Sequence, residues 1–188
     1  MSSYLRPTEL DEALQALAAG DRIIVAGGTD FYPARVGKPV DEDILDVTAI
    51  DGLRRIEQRG DHFHIGATAT WTDLIRADLP EWFRAMKQAA REVGGVQIQN
   101  AGTIVGNICN ASPAADGVPG LVALDASVLL GSVSGEREVP ISEFVLGNRK
   151  TARKRDEMVL GLNIPVCGTD ARSTFLKLGA RKYLVISI

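Results

Sequence analysis

Two glycine-bearing segments carry the residue types that could bind an anion. Residues 26–30 read AGGTD and follow a short apolar run at 23–26 that is typical of a strand buried on both faces. Residues 100–116, NAGTIVGNICNASPAAD, bring two more glycines with Thr and Asn beside them. Glycine lets backbone N–H groups approach an anion and adopt positive φ. The two segments therefore predict two phosphate-binding loops, enough for the two phosphates of a dinucleotide.

Neither segment is decisive by itself. A plain glycine turn, with Thr29 or Asp30 beginning the next helix, would give the first pattern. A bulged or tightly bent segment would give the second. Neither segment matches the dinucleotide fingerprint G-x-G-x-x-G in its strand-to-helix context, nor the ATPase loop G-x-x-x-x-G-K-[ST]. The spacing alone leaves the ligand open.

Periodicity predicts the elements that position these segments. Apolar residues recur at helical spacing over 8–19, apolar runs at 23–26 and 44–47 favour buried strands, and residues 52–67 read as a hairpin. Further helices are expected over 71–77, 81–93 and 141–145, and further strands over 127–133, 136–140, 157–164 and 172–179. The chain therefore divides into a small N-terminal βα unit and a strand-rich second part, with the boundary near residue 50.

Composition excludes several classes of protein. The 188 residues carry a formal net charge of −3, without the basic footprint of a nucleic-acid binder, so no nucleic-acid partner is expected. The sequence shows neither a secretion signal nor an apolar stretch long enough to span a membrane. Cys109 and Cys167 are too few for a disulfide framework or a four-ligand metal site. These features predict a soluble, cytoplasmic protein.

Three other features have a functional and a plainer interpretation. His62 and His64 share one face of a predicted strand and could hold a metal, but no third ligand lies nearby, so a solvated strand face is favoured. Cys109 has no neighbouring base, which favours a buried filler over a reactive thiol. The basic run NRKTARKRDE at 148–157 could dock an acidic partner or contact phosphate, but a solvated loop between strands is favoured. No residue is predicted to be catalytic.

AGGTD at 26–30, together with TIVGNICNASPAAD at 103–116, resembles the FAD-binding domain of the molybdenum hydroxylases, the flavin (medium) subunit of the xanthine dehydrogenase and carbon monoxide dehydrogenase family. DILDVTAIDGLRRIE, HIGATATWTDL and FLKLGAR are similar to family segments in the same order. The resemblance implies an α+β, PCMH-type FAD-binding fold, with a small N-terminal βα subdomain at 1–50 and a larger subdomain of mainly antiparallel strands with helices at 51–188. It also implies that a C-terminal domain of the family is missing or not covered.

In that family both loops bind the diphosphate of FAD through backbone amides, an acidic residue contacts the adenosine ribose, and apolar residues and a lysine contact the cofactor. The resemblance implies such contacts for Ile24, Val25, Ala26, Gly27, Gly28, Thr29, Asp30, Phe31, Val93, Thr103, Ile104, Val105, Gly106, Asn107, Asp116, Val159 or Leu160, and Lys177. Val105 stands where relatives commonly have glycine. A left-handed backbone there would weaken FAD binding, because valine tolerates positive φ poorly, whereas an extended one would not.

The implied function is electron transfer in an oxidoreductase complex. Electrons would pass from a molybdopterin-binding large subunit through a [2Fe-2S] small subunit to this FAD, and on to NAD or another acceptor. Two alternatives stay open. A free-standing flavin oxidoreductase would need proton-transfer residues that the sequence does not show. A non-redox nucleotide-binding or assembly domain has Val105 as its only support.

Overall fold

The computed structural model of the chain describes residues 2–178. Within that range the strands are β1 (Tyr4–Leu5), β2 (Ile23–Val25), β3 (Ile44–Asp46), β4 (Ile56–Arg59), β5 (His62–Gly66), β6 (Ser127–Ser132), β7 (Gly135–Pro140), β8 (Val145–Gly147), β9 (Lys150–Thr151) and β10 (Met158–Pro165). The α-helices are α1 (Leu10–Ala19), α2 (Trp71–Arg76), α3 (Arg84–Glu92), α4 (Val96–Ala101), α5 (Ile104–Asn110), α6 (Gly117–Ala123) and α7 (Ile141–Phe144). Over the same range, no helix has the length and apolar character needed to cross a membrane.

A three-stranded parallel sheet forms the N-terminal unit. β3 lies in its centre between β1 and β2. Ile44 and Leu45 of β3 are buried because a central parallel strand is covered on both faces. α1 connects β1 to β2 and packs Leu14 and Leu17 into the core. The chain leaves β2 at the carboxyl end of this sheet, the edge at which open parallel sheets bind ligands.

A five-stranded antiparallel sheet, in the order β4-β5-β10-β6-β7, forms the strand-rich part. Two hairpins, β4–β5 and β6–β7, flank β10 in the centre. Gly60 has φ +61° and makes the tight turn between β4 and β5. The pairing of β10 with β6 shifts register between Val159 and Gly161, which marks a β-bulge.

The two sheets share one hydrophobic core. Trp82 stacks on Phe83 with 4.2 Å between the ring centroids, and Phe63 of β5 meets both rings edge-on. The same cluster includes Leu17 of α1 and Leu130 of β6. The N-terminal unit is therefore packed onto the strand-rich part and does not depend on a core of its own.

The predicted α+β class and most predicted elements are confirmed. The helix expected over 81–93 begins as a 3₁₀ turn, Glu81–Phe83, and continues as α3. The strand predicted over 172–179 is wrong, because residues 172–178 form no strand, and residue 179 lies outside the described range. The loop predicted over 100–116 is wrong in part, because most of residues 100–110 are helical while residues 111–116 are turns and irregular backbone. The division of the chain near residue 50 stays a prediction.

His64 belongs to a polar row that crosses the antiparallel sheet. Its Nδ1 lies 2.8 Å from Asn163 Oδ1, and Asn163 Nδ2 donates to Glu138 Oε1 at 2.8 Å. The solvated face expected here is wrong for His64, whose exposure is only 4%. Burial lowers the pKa of His64 below its ordinary value of 6.5, and the hydrogen bond to Asn163 offsets part of this shift.

We expect this imidazole to make stability depend on pH. Because the folded pKa is lowered, the folded state holds fewer protons on His64 than the unfolded chain does. Its contribution is complete above about pH 6.5 and is lost as pH falls through the folded pKa, with a slope of at most about 1.4 kcal/mol per pH unit. Chemical denaturation between about pH 7 and pH 5.5 measures this slope.

The His64→Gln variant should show a shallower slope, since its amide can still donate to Asn163 but does not titrate. His62→Gln is the matched control, because His62 lies on the same strand and is more exposed. A His64→Gln variant with the wild-type slope would show that other groups cause the pH dependence.

Candidate functional site

The first glycine segment leaves β2 and turns sharply. Gly28 has φ +65°, and a Cβ there would lie 2.6 Å from the Tyr32 ring, so glycine is strongly favoured at this position. The Tyr32 N–H closes the turn by donating to Gly28 O at 3.1 Å. Within residues 2–178, the backbone N–H groups of residues 27–30 donate to no protein acceptor. Four consecutive donors are therefore available to a ligand.

The second glycine segment is helical where we expected a loop. α4 ends at Ala101, and Thr103 caps α5 by accepting the Gly106 N–H on its Oγ1 at 2.9 Å. The threonine thus satisfies a first-turn donor that would otherwise lack a partner, which allows so short a helix to begin there. Gly102 lies at the junction between the two short helices, while Gly106 and Asn107 lie in α5.

The positions of Val105 and Ile104 in α5 bear on two of the predictions. Val105 lies in the first turn of the helix and does not have positive φ, so its β-branched side chain causes little strain. The only support for a non-redox domain is therefore removed. The Ile104 N–H donates to Ala69 O at 3.1 Å, and its side chain is fully buried. Ile104 therefore offers neither its N–H group nor its side chain to a cofactor.

The two glycine segments touch through their backbones. A Cβ on Gly27 would overlap the carbonyl oxygen of Ala101, so any side chain at this position would push the segments apart. Thr29 Oγ1 lies 3.3 Å from the position that a Cβ on Gly102 would occupy. The loop after β2 and the junction between α4 and α5 therefore form one continuous surface.

A cleft of about 1010 Å³ opens along this junction. The predicted site residues that line it are Ile24, Val25, Ala26, Gly27, Gly28, Thr29, Asp30, Phe31, Val93, Thr103, Val105, Gly106, Asn107, Asp116, Val159 and Lys177. Ile104 and Leu160 are not among its lining residues. Leu160 is excluded because consecutive strand side chains point to opposite faces: Val159 reaches the cleft, while Leu160 packs over Gly131.

Asp116 and Lys177 form an ion pair in the wall of the cleft. Lys177 Nζ lies 2.9 Å from Asp116 Oδ2, and the two side chains are only 17% and 13% exposed. Asn107 Oδ1 accepts the N–H of Gly117 at 3.3 Å and so supports the turn that carries Asp116. The structure joins two residues that we expected to contact different parts of the cofactor.

The cleft also includes residues that the sequence did not single out. Arg149 and Arg153 belong to the basic run at 148–157 and line the cleft, although Arg149 is exposed, as expected of a solvated run, and Arg153 is half-buried. The spacing of charges gave no sign of this, because β8 and β9 fold the run back onto α5. Other unpredicted lining residues are Arg22, Trp71, Ile98 and Cys109.

Cys109 is unsuited to nucleophilic chemistry. It lies on the cleft side of α5, and burial raises the pKa of its thiol to about 12. The thiolate is the reactive form, so at neutral pH Cys109 stays protonated. It behaves here as a small apolar wall residue.

Residues 1–167 match the family model described as the FAD binding domain in molybdopterin dehydrogenase. The chain belongs to this family. The predicted family, its PCMH-type FAD-binding fold and its FAD cofactor are thereby confirmed.

Named relatives of this FAD-binding domain are subunits of dehydrogenases. The chain is 35% identical over 199 residues to the nicotinate dehydrogenase FAD-subunit of Eubacterium barkeri, covering 98% of this chain and 65% of the relative. It is 32% identical over 168 residues to the xanthine dehydrogenase FAD-binding subunit of Escherichia coli O157:H7, covering 87% and 58%. Both relatives are longer than this chain, which spans less than two thirds of either.

The solved carbon monoxide dehydrogenase from Hydrogenophaga pseudoflava has the same fold. Its structure aligns with a TM-score of 0.80 at 28% sequence identity, over 89% of this chain and 60% of that chain. The combination of a parallel N-terminal sheet and an antiparallel second sheet is therefore the arrangement of this FAD-binding domain.

Gly27→Ala should disrupt the junction between the two glycine segments. The added methyl group has no free space against Ala101 O, and overpacking against a backbone atom is not relieved by a rotamer change. We expect FAD binding to weaken by about tenfold or more. The measurement is FAD content after purification and FAD titration of the apoprotein, with circular dichroism to confirm folding.

Gly20→Ala is the matched control for this substitution. Gly20 follows α1 in extended backbone, and nothing lies within 4 Å of a Cβ built there. Wild-type FAD affinity in Gly27→Ala would show that the close approach of the two segments is not needed for the cofactor.

Proposed function

We propose that the backbone N–H groups of residues 27–30 hold the diphosphate of FAD in the cleft. Those four adjacent donors, which have no acceptor among residues 2–178, are the observation that carries the proposal. Positive φ at Gly28 forms the turn that presents the donors, and the absence of a Cβ on Gly27 lets the segment lie against Ala101 O. The residues present therefore fit this part of the cofactor.

The second segment plays a smaller part in this proposal than the resemblance implied. The Gly106 N–H is bound to Thr103 Oγ1, and the Asn107 N–H donates to Thr103 O at 3.1 Å. These two groups and the Ile104 N–H are occupied within the protein. Among residues 2–178, the N–H groups of Thr103 and Val105 find no acceptor, so the α4–α5 junction offers two donors beside the surface against which the first segment is held.

Side chains provide the other contacts in this proposal. Val93 and Val159 offer apolar surface to the ring systems of FAD. Asp116 can accept hydrogen bonds from the ribose hydroxyls, while Lys177 neutralises the carboxylate. Buried carboxylates are stable when paired in this way. Together these residues orient the cofactor and exclude water from it.

We further propose that the protein transfers electrons as the FAD subunit of a molybdopterin-containing dehydrogenase. FAD, when bound, supplies the redox chemistry, and this chain supplies binding and orientation. This proposal is supported by the similarity of the chain to proteins that are named FAD subunits of dehydrogenases. The proposed partners are a molybdopterin-binding large subunit and a [2Fe-2S] small subunit, with NAD or another acceptor receiving the electrons. The proposed location is the cytoplasm, where free Cys109 and Cys167 would persist.

The visible spectrum of the purified full-length protein tests the cofactor proposal. We expect a flavin absorption band, and equimolar FAD released on denaturation. The spectrum should bleach when the partner subunits and their substrate are added without an acceptor. A colourless protein that takes up no added FAD would contradict the cofactor site.

The subunit proposal can fail separately from the cofactor proposal. An FAD-loaded chain that turns over a small organic substrate without partner subunits would be a free-standing oxidoreductase. We expect no such turnover, because Cys109 is protonated and Asp116 is held by Lys177. The control is the same assay with free FAD, which corrects for oxidation that does not need the protein.

A further inference from the structure

The turn between β8 and β9 holds Arg149 in the left-handed backbone region. Its φ is +57°, which is uncommon for a residue with a long side chain. Its N–H donates to Ala111 O at 2.8 Å, and Ala111, which ends α5, has φ +46°. Two left-handed residues thus fasten the turn to the end of α5. This contact places Arg149 in the cleft lining.

The guanidinium of Arg149 joins two walls of the cleft. Its Nη1 lies 2.9 Å from Asp30 Oδ2 in the first glycine segment and also donates to Asn110 Oδ1 at the end of α5. The N–H of Asp30 is the last of the four donors assigned to the FAD diphosphate. One side chain therefore connects the donor segment, the end of α5 and the β8–β9 turn.

A second ion pair links the residue just before β2 to the segment after β9, and neither of its residues lines the cleft. Arg155 pairs with Asp21. Asp21 comes just before β2 and Asp30 follows it. Neither Arg155 nor Asp21 lines the cleft. The chain thus contains two similar ion pairs at either end of β2, of which only Arg149–Asp30 borders the ligand space.

We propose that Arg149 is a positioning residue that retains FAD by holding the first glycine segment against α5. This inference rests on the proposed FAD site. While the Arg149–Asp30 pair is formed, the segment carrying the donors cannot swing away from the α5 wall, so release of the cofactor requires the pair to open. The side chains are 54% and 58% exposed, which lets the pair open and lets salt screen it.

The exposure of the Arg149 and Asp30 side chains also limits how strongly their ion pair can slow FAD release. Exposed ion pairs contribute little to stability, so the pair should slow FAD release by about two- to fivefold at low salt. High salt should remove most of this retention, because charges in contact with solvent are screened. A purely structural role for Arg149 would have no such dependence on salt.

The Arg149→Gly variant removes the guanidinium but keeps the backbone conformation of the turn, so it tests the side chain alone. Glycine adopts φ +57° without strain, so the apoprotein should melt at or above the wild-type temperature. FAD should nevertheless leave about two- to fivefold faster, with little dependence on salt. Arg149→Lys keeps the charge and should restore most of the retention. Asp30→Asn should act like Arg149→Gly, and the two together should be no worse than either alone.

The experiment follows FAD release from the FAD-loaded full-length protein by the fluorescence of free flavin after dilution, at low and high salt. Arg155→Gln is the matched control and should release FAD at the wild-type rate. If Arg149→Gly releases FAD at the wild-type rate, or if Arg155→Gln accelerates release equally, the retention role is overturned. A wild-type protein that never binds FAD would instead overturn the proposed site, and the retention role with it.

Discussion

The close approach of Gly27 to the carbonyl oxygen of Ala101 is the constraint on which the cleft depends. It brings the end of a parallel sheet and the junction of two short helices into backbone contact, which only a residue without a Cβ permits. With the segment held there, the N–H groups of residues 27–30 find no acceptor in the described part of the protein. Unpaired backbone donors are costly when buried, so this surface is stable only when solvent or a ligand reaches it.

An ion pair between Arg137 and the buried carboxylate of Glu157 holds the end of the basic run at 148–157. Glu157 is 4% exposed, and Arg137 donates to its two carboxylate oxygens at 2.6 and 2.8 Å. Glu157 also accepts the Lys154 N–H at 2.7 Å, and the Arg137 hydrogen bonds are the largest cause of its lowered pKa. The basic turn is therefore held in place from inside, and Arg153, which donates to Glu157 O at 2.7 Å, stays beside the cleft.

Local sequence patterns were sufficient for the larger elements and for the first glycine segment. The helical spacing of Leu14 and Leu17 and the apolar run of β2 each indicate an element that its own residues define. Gly27 stands where the backbone approach to Ala101 leaves no room for a Cβ, and Gly28 stands where the turn requires positive φ. The family resemblance supplied the pairing of the two segments, which no periodicity contains. It named Asp116 and Lys177 as neighbours of one cofactor, but gave no sign that they pair with each other.

The remaining features depend on contacts between residues distant in sequence. α4 and α5 are only six and seven residues long, too short for a periodic pattern, and Thr103 looks like a loop residue until its Oγ1 is seen to cap α5. Arg149 has no local signal because its position is set by Ala111 and Asp30, 38 and 119 residues away. The strand predicted over residues 172–178 does not form. The Phe175 N–H donates to the Gln88 side chain and not to a neighbouring strand.

The donors assigned to the cofactor belong to the backbone, and this limits how the protein can adjust its affinity for FAD. A side-chain substitution cannot remove a backbone N–H, except by proline, so direct contacts are hard to change one at a time. What can change is the position of the segment that carries them. Gly27 sets how closely that segment approaches α4 and α5, and the Arg149–Asp30 pair sets how readily it moves away. Affinity is then governed by residues around the donors, while the donors themselves stay the same.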